Sequence, residues 1–549
     1  MADLESLKLN AIRMGWLHAR ILIVDDSLTE AALLKSLLRQ VGVVELFSAS
    51  SPDDAIQLCQ QHAVQVIIID YHLESILNGS ELLCALRQKH LIHLDCASLL
   101  ISGDNSSEVI LSSLEAEPDA FVRKPVSMTT LCQNIDRAWL SSQITRPISK
   151  ALQDGDKKKA LKLCEMQIAR LGKHQRVEKL WLDLLMESEQ WDKAESVALT
   201  LAAEEASAHT ALTLAQIHLY RKEIETAIEQ LNQLITAFPL CIEGYDLLVE
   251  VLKSERRFEE AIALSHVALK LTPNSTPRAM QLAKLAVKQD DFKKLTYAGH
   301  CLASYLPLLG ERWLEYFSAY LYEFETFYFK QEPHRQAAML KDLNITYQRA
   351  KERVRAAQQA KLKCLGRLAW IRLTIKNAED LNAKQQLMRA LAPYYNRFNE
   401  LPLTIRADAI KPLFILGEAE LAHLFLQQLK SGEKLSQSTK QKYLRLINAS
   451  DLCKQGLALY QTIQIMKQHL ALTPERVKQQ AELLLERYPL SNQLHFLYLL
   501  ACQLLKELPT AKVTASLSSL NISPLTSEDN ACKLELERFF HTNDKEDEQ

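Results

Sequence analysis

The chain has 549 residues, with 65 Lys and Arg against 67 Asp and Glu for a net charge of −2. That length predicts several domains rather than one core, and the near-neutral balance excludes a general electrostatic attraction to nucleic acid or to a membrane surface. Only 13 Gly and 16 Pro occur, which with the Leu, Ala, Gln, Lys and Glu abundant after Ser142 predicts a mostly helical remainder.

Met1 to Arg20 carries charges every few residues and offers no signal-peptide core, so residues 1–18 read as a leader. Four short apolar runs follow, each ending at polar residues. They are Ile21 to Val24 before Asp25 and Asp26, Val66 to Ile69 before Asp70, Leu99 to Ile101 before Ser102, and Ala120 to Val122 before Lys124. Continuous apolar runs separated by helix-length amphipathic stretches predict a parallel sheet buried on both faces, whose ligands bind beyond the carboxyl ends of the strands. Three carboxylates at one such edge repel one another by about 4 kcal/mol per pair at ~4 Å and an effective dielectric near 20, so the site needs a cation. Carboxylates with positions left for water and phosphate oxygens suit Mg²⁺. One aspartate could then attack phosphorus, with Lys124 pairing with the phosphoryl oxygens and Ser102 donating to one.

The phrases I-L-I-V-D-D, I-I-I-D-Y-H-L, L-L-I-S-G-D and F-V-R-K-P-V resemble the receiver domain of two-component response regulators over residues 19–142. The resemblance implies a doubly wound α/β fold with a five-stranded parallel sheet. It implies Asp70 as the phosphoacceptor, and Mg²⁺ held by Asp25, Asp26, Asp70 and the backbone carbonyl of His72. Ser102 and Lys124 take the places of the switch hydroxyl and the lysine, Phe121 that of the rotating aromatic, and the Lys124-Pro125 bond is expected to be cis. A histidine kinase or phosphotransfer protein is implied as donor. The switch is expected to re-arrange the surface around the domain's fourth and fifth helices and last strand. One departure follows the acceptor, where Leu73-Glu74 stands and Gly79 comes one residue late.

From 143 to 310 a repeat organises the chain, after a short polar linker over 141–150. Ala160, Ala194, Ala227, Ala261 and Leu295 recur at steps of 34, 33, 34 and 34, and Pro239, Pro273 and Pro307 at 34. The period resembles tetratricopeptide repeats; in the best copy Tyr245, Leu248, Ala261, Ala268 and Pro273 fall at that family's positions. Each such unit is a helix pair that cannot bury its apolar stripe alone, so neighbours stack into an all-α solenoid with a concave, protein-binding surface.

Residues 311–530 read as further, degenerate helical repeats. Trp313, Tyr316, Phe317, Tyr320, Phe324 and Phe327 share one helical face and read as core. Glu418 to Ala422, and Arg487 to Leu490 echoing Ala237 to Leu240, suggest further copies. Between Lys341 and Lys376 ten Lys or Arg residues stand against Asp342 and Glu352 on what reads as one long basic helix. Residues 531–549 form an acidic tail, unstructured from His541 onward. The 11 cysteines are scattered, none in a C-x-x-C pair, and read as reduced thiols of a cytoplasmic protein. The longest apolar stretch, Leu494 to Leu505, is too short to span a bilayer.

Without a phosphate-binding loop, a zinc-protease motif, a nucleophile elbow or a cyclic-dinucleotide enzyme signature, the expected output is binding rather than catalysis. The expected partner is a protein or peptide on the concave surface, or a second copy of the chain. A nucleic acid on the basic helix is the alternative.

Overall fold

The computed structural model describes residues 15–73, 77–93, 95–104, 109, 116–172, 174–308, 311–375, 378–395, 397–431 and 437–546. It divides into two compact units, Met1–Leu309 and Gly310–Gln549.

In the first unit the chain runs β1 (Ile21–Val24), α1 (Leu28–Val41), β2 (Leu46–Ala49), α2 (Pro52–Gln61), β3 (Val66–Asp70), α3 (Gly79–Gln88), β4 (Ala97–Ser102) and β5 (Ala120–Arg123). The strands pair in the order β2-β1-β3-β4-β5, all parallel. Alternation along each strand explains why the runs are apolar throughout. Ile21, Ile23, Val66, Ile68, Leu99 and Ile101 enter one core with α1, and Leu22, Val24, Ile67, Ile69 and Leu100 enter the other with α2 and α3. Helix starts are fixed by side chains that accept the orphan amides of the first turn. Ser27, Ser51 and Asn78 do this for α1, α2 and α3, and Asn78 with Glu81 completes a capping box.

Two expectations move here. Trp16 is fully buried in the first core, and its indole N–H donates to Asp136, so the sheet domain takes in part of the expected leader. Residues 1–14 lie outside the described residues, as do Glu74 and, apart from Val109, the stretch 105–115 where the domain's fourth helix was expected.

The linker expected over 141–150 is not formed. A single helix, α4 (Met128–Gln153), begins beside the sheet and continues into the helical region. Its first half buries Leu131, Cys132, Ile135 and Ala138 against the sheet. Its second half buries Ile148 and Ala151 against α5 (Lys157–Leu171) and α6 (Gln175–Glu187). One apolar stripe thus runs past Ser142, and a polar composition concealed it.

Beyond α6 come α7 (Trp191–Glu204), α8 (Ala208–Tyr220), α9 (Ile224–Ala237), α10 (Ile242–Ser254), α11 (Phe258–Leu271), α12 (Thr276–Lys288) and α13 (Phe292–Ser304). This is a helical repeat-like region. Its 34-residue period has a backbone signature: Gly155, Glu189, Lys222, Arg256 and Asp290 all have positive φ, between 53° and 75°. After each of them the next amide bonds back five residues, Asp156 to Ala151, Gln190 to Leu185, Glu223 to His218, Arg257 to Leu252 and Asp291 to Ala286. This is the left-handed helix stop that reverses the chain within each pair. Ala160, Ala194, Ala227, Ala261 and Leu295 are all fully buried.

The second unit comprises α14 (Arg312–Tyr328), α15 (Pro333–Arg353), α16 (Ala356–Thr374), α17 (Leu381–Leu391), α18 (Leu403–Ile415), α19 (Ala419–Ser431), α20 (Gln437–Ala449), α21 (Asp451–His469), α22 (Pro474–Arg487), α23 (Asn492–Leu504), α24 (Ala511–Ser519) and α25 (Ser527–Glu546). Trp313, Phe317, Tyr320, Phe324 and Phe327 are core, as their spacing predicted. The left-handed stop recurs at Gly417 and Lys506.

The single basic helix is not present. Arg355 is extended, with φ −66° and ψ 156°, and separates α15 from α16. Arg372 is buried, bonding Glu325 at 2.8 Å and lying 3.5 Å from Asp408. The charges therefore belong to two helices and partly to the interior; Lys376 lies outside the described residues. The acidic tail is also shorter than expected, because α25 runs to Glu546. Leu536 and Phe540, both buried, tie it down. None of the 11 cysteines is in a disulfide, and most are buried. Among the described residues, no helix is long and apolar enough to cross a membrane.

Candidate phosphoacceptor site

The parallel register sets Val24 beside Ile69, Asp70 beside Ile101 and Ser102 beside Arg123, so the residues closing these strands emerge at one edge. Asp25, Asp26 and Asp70 converge there. One carboxylate oxygen from each lies within 4.8 Å of the others, a set that could hold a metal ion. Lys124 reaches into the same cluster, its Nζ 3.1 Å from Asp70 Oδ1 and 3.8 Å from Asp25 Oδ2. The Lys124-Pro125 bond is cis.

Electrostatics favour a cation in this cluster. Burial pushes the Asp25 carboxyl up to about 6, against the amide of Ser27 and the charge of Lys124. Burial likewise raises Asp70, opposed by Lys124. For Lys124, burial disfavours the charge, but its bond to Glu30 and the charges of Asp70 and Asp25 outweigh that and hold the ammonium above the usual lysine range. Asp70 Oδ1, buried, lies near Lys124 but outside hydrogen-bonding geometry. Hard oxygen donors, a buried carboxylate raised by desolvation and an acceptor oxygen without a hydrogen bond together fit a divalent ion.

The remaining expected residues surround this cluster. Ser102 is fully buried, and its Oγ accepts the amide of Asp104 at 3.0 Å. Phe121 is half-buried beside the α2–α3 core, three residues before Lys124. His72 follows Asp70 by two residues, and its exposed ring lies 3.8 Å from Asp104.

The sequence reading missed Glu30 altogether and noted Gly79 only for its late position. Glu30, in the first turn of α1, ion-pairs with Lys124. Gly79 packs so closely on the Asp70 carbonyl that a Cβ would come within 2.9 Å of its carbon, and nearer still to its oxygen. The displaced Gly was the signal for the second; nothing in the sequence marked Glu30.

The same sheet domain is held by one helix of the repeat region, α6. Arg176 of α6 ion-pairs with Asp119, whose side chain is fully buried and also accepts the amide and hydroxyl of Ser98. Lys179 bonds Glu117 at 2.6 Å. From α3, Arg87 donates to the carbonyls of Ala116 and Glu117 and to Ser98 Oγ. This seam grips the residues that lead directly into β5, the strand carrying Phe121 and ending before Lys124.

The same stretch of sequence is similar to known proteins. The response regulator receiver domain family matches residues 21–136. The chemotaxis protein CheY-3 of Vibrio cholerae serotype O1 is 27% identical over 123 residues, covering 22% of this chain and 92% of that protein. The chemotaxis protein CheY of Pseudomonas aeruginosa is 26% identical over 121 residues, 22% of this chain and 95% of that one. Among solved structures, a CheY-like response regulator receiver domain protein from Methanospirillum hungatei has 25% identity, covers 23% of this chain and 97% of its own, and gives a TM-score of 0.21. Residues 21–136 are a response regulator receiver domain. Such a domain implies a phosphodonor partner, a histidine kinase or a phosphotransfer protein.

Proposed function

We propose that this chain is a cytoplasmic response regulator in which Asp70 accepts a phosphoryl group and the helical array, read as tetratricopeptide-like, is a protein-binding output with no catalytic domain of its own. One observation carries the reading: Asp25, Asp26 and Asp70 meet at the carboxyl edge of the sheet with Lys124 among them. Asp25, Asp26, Asp70 and the His72 carbonyl would hold Mg²⁺. Once bound, this ion supplies the positive charge that offsets the clustered carboxylates and the phosphoryl oxygens.

An Asp70 carboxylate oxygen forms the new bond to phosphorus as the bond to the donor's imidazole nitrogen breaks, and that nitrogen keeps the electron pair. Lys124, already beside Asp70, pairs with the transferred oxygens. Ser102 can exchange its acceptor role toward Asp104 for a donor role toward the phosphoryl group, and Phe121 turns with it. The seam supports coupling to the array, since Arg176 and Lys179 hold the two acids just ahead of the strand that carries Phe121. A phosphoryl group changes the output only through interactions that differ between the two states. The nucleic-acid alternative loses its main support with the division of the basic helix.

Intact-mass measurement after phosphoramidate and Mg²⁺ tests the reading. A single phosphoryl adduct, absent from Asp70→Asn, is expected. An unmodified wild-type chain that remains folded would refute it. A partner protein captured by the beryllofluoride-treated chain and not by Asp70→Asn, or the reverse, tests the output.

A further inference from the structure

At the edge of the sheet opposite Asp70, a cavity of about 410 Å³ opens between the loops entering β3 and β4 and the second half of α4. It exists because α4 does not stop at the receiver boundary. Trp139, Gln143, Arg146, Lys150 and Gln153 line it, and their steps of 4, 3, 4 and 3 place them on a single stripe of the helix. Next to that stripe runs the apolar one, with Ile135, Ala138, Ile148 and Ala151 buried. A stripe facing its own domain is ordinarily apolar; this one carries two cations and two amides.

The rest of the lining reinforces the charge. Arg20 contributes a third cation, and Asp95 is the one acid among the lining residues, so the lining side chains sum to 3 − 1 = 2 positive charges, with the histidine counted as neutral and Glu45 lying outside the lining. Arg146 is paired with Asp95 at 2.9 Å and Arg20 with Glu45 at 2.9 Å. No acidic side chain among the described residues pairs with Lys150. Guanidinium groups and an ammonium around one opening recognise phosphate oxygens, and the volume falls within the range of small-molecule sites.

The geometry points to a second anion site on this chain, independent of the phosphoacceptor: the cavity under α4 binds a small molecule carrying a diphosphate group, of nucleotide size, through Arg20, Arg146 and Lys150. Its occupant bridges the loops entering β3 and β4 to the helix that continues into the repeats. It does not serve Asp70, which lies at the other end of the strands.

Calorimetric titration of the full chain with ADP, and separately with pyrophosphate, in EDTA tests this. One-to-one saturation by both is expected. The double variant Arg146→Ala, Lys150→Ala should weaken each by roughly tenfold or more, Arg146→Lys with Lys150→Arg should restore most of it, and Asp70→Asn should leave it unchanged. Titrations that show only heats of dilution up to about 5 mM, weaker than any useful affinity, overturn the proposal. So does binding that survives the double alanine variant, or binding that disappears with Asp70→Asn.

Discussion

Arg176, on the second helix of the repeat region, places its guanidinium against the buried carboxylate of Asp119 in the receiver. The Asp119 side chain has no solvent exposure, whereas that of Arg176 retains about a third of its own, and the neighbouring Arg87 crowds it with like charge. The pair is thus set by the carboxylate, which needs cations on one side and Ser98 on the other.

Removing the guanidinium should cost about 1–3 kcal/mol, below the 3–5 of a fully buried pair because Arg176 is partly solvated. The informative measurement is a double-mutant cycle of Arg176→Ala with Asp119→Asn, read by beryllofluoride affinity. Reciprocity requires that a contact sensitive to the phosphorylated state shift that affinity in turn. The two changes should be non-additive, and each should alter the affinity several-fold. Strict additivity with no change in affinity would show the seam to be a static brace.

Gly79→Ala should disable the site without touching a reactive group. The added methyl would meet the backbone of Asp70 itself, together with the Ile69 side chain at 2.9 Å. Neither can yield without moving the phosphoacceptor. A loss of about 2 kcal/mol or more in receiver stability is expected, seen by thermal denaturation, with acyl phosphate formation reduced at least as much as in Lys124→Ala.

The receiver was legible because its chemistry sits at strand ends in chain order, and β1 and β3 announce themselves as unbroken apolar runs. Its partners were not. Glu30 reaches Lys124 only because α1 starts where Ser27 caps it, and no periodicity encodes that contact. The repeat period was readable from buried small residues such as Ala194 and Ala261. The turns between helices were hidden, because Glu189, Lys222, Arg256 and Asp290 occupy the left-handed conformation where glycine is the usual marker. The continuous α4 was hidden because the polar stretch over 141–150 read as a linker, yet all of it, Pro147 included, is carried within the helix.

Metal affinity should fall in acid with a slope set by Asp25. Its folded value, about 6, lies above the ordinary 3.8, so the metal-free fold holds a proton that the unfolded chain gives up. Stability of the metal-free receiver therefore declines as pH rises from 3.8 to about 6. A divalent ion displaces that proton, so Mg²⁺ affinity should rise with pH through the same value and level off above it. Below it, each pH unit should weaken binding by roughly tenfold, more steeply still because Asp70 is also raised. Calorimetry across this range in Asp25→Asn should show the dependence flattened; an unchanged profile would remove Asp25 from the ligand set.

In the second unit, Arg372 lies between two buried acids, bonding Glu325 and approaching Asp408, with its guanidinium 4.5 Å from the Tyr322 ring. Asp408 in turn accepts the Ser318 hydroxyl at 2.9 Å, and Lys411 meets Glu325 at 3.0 Å. Arg372→Ala leaves Asp408 with hydroxyl partners but no cation, and should destabilise this unit by about 3–5 kcal/mol. Arg372→Met with Asp408→Asn together should recover part of the loss, since removing both charges also removes the cost of burying them. If the phosphoryl adduct on Asp70 forms normally in Arg372→Ala while the second unit melts early, the units fold as separate bodies; parallel loss of both would mean that the receiver depends on the distal fold.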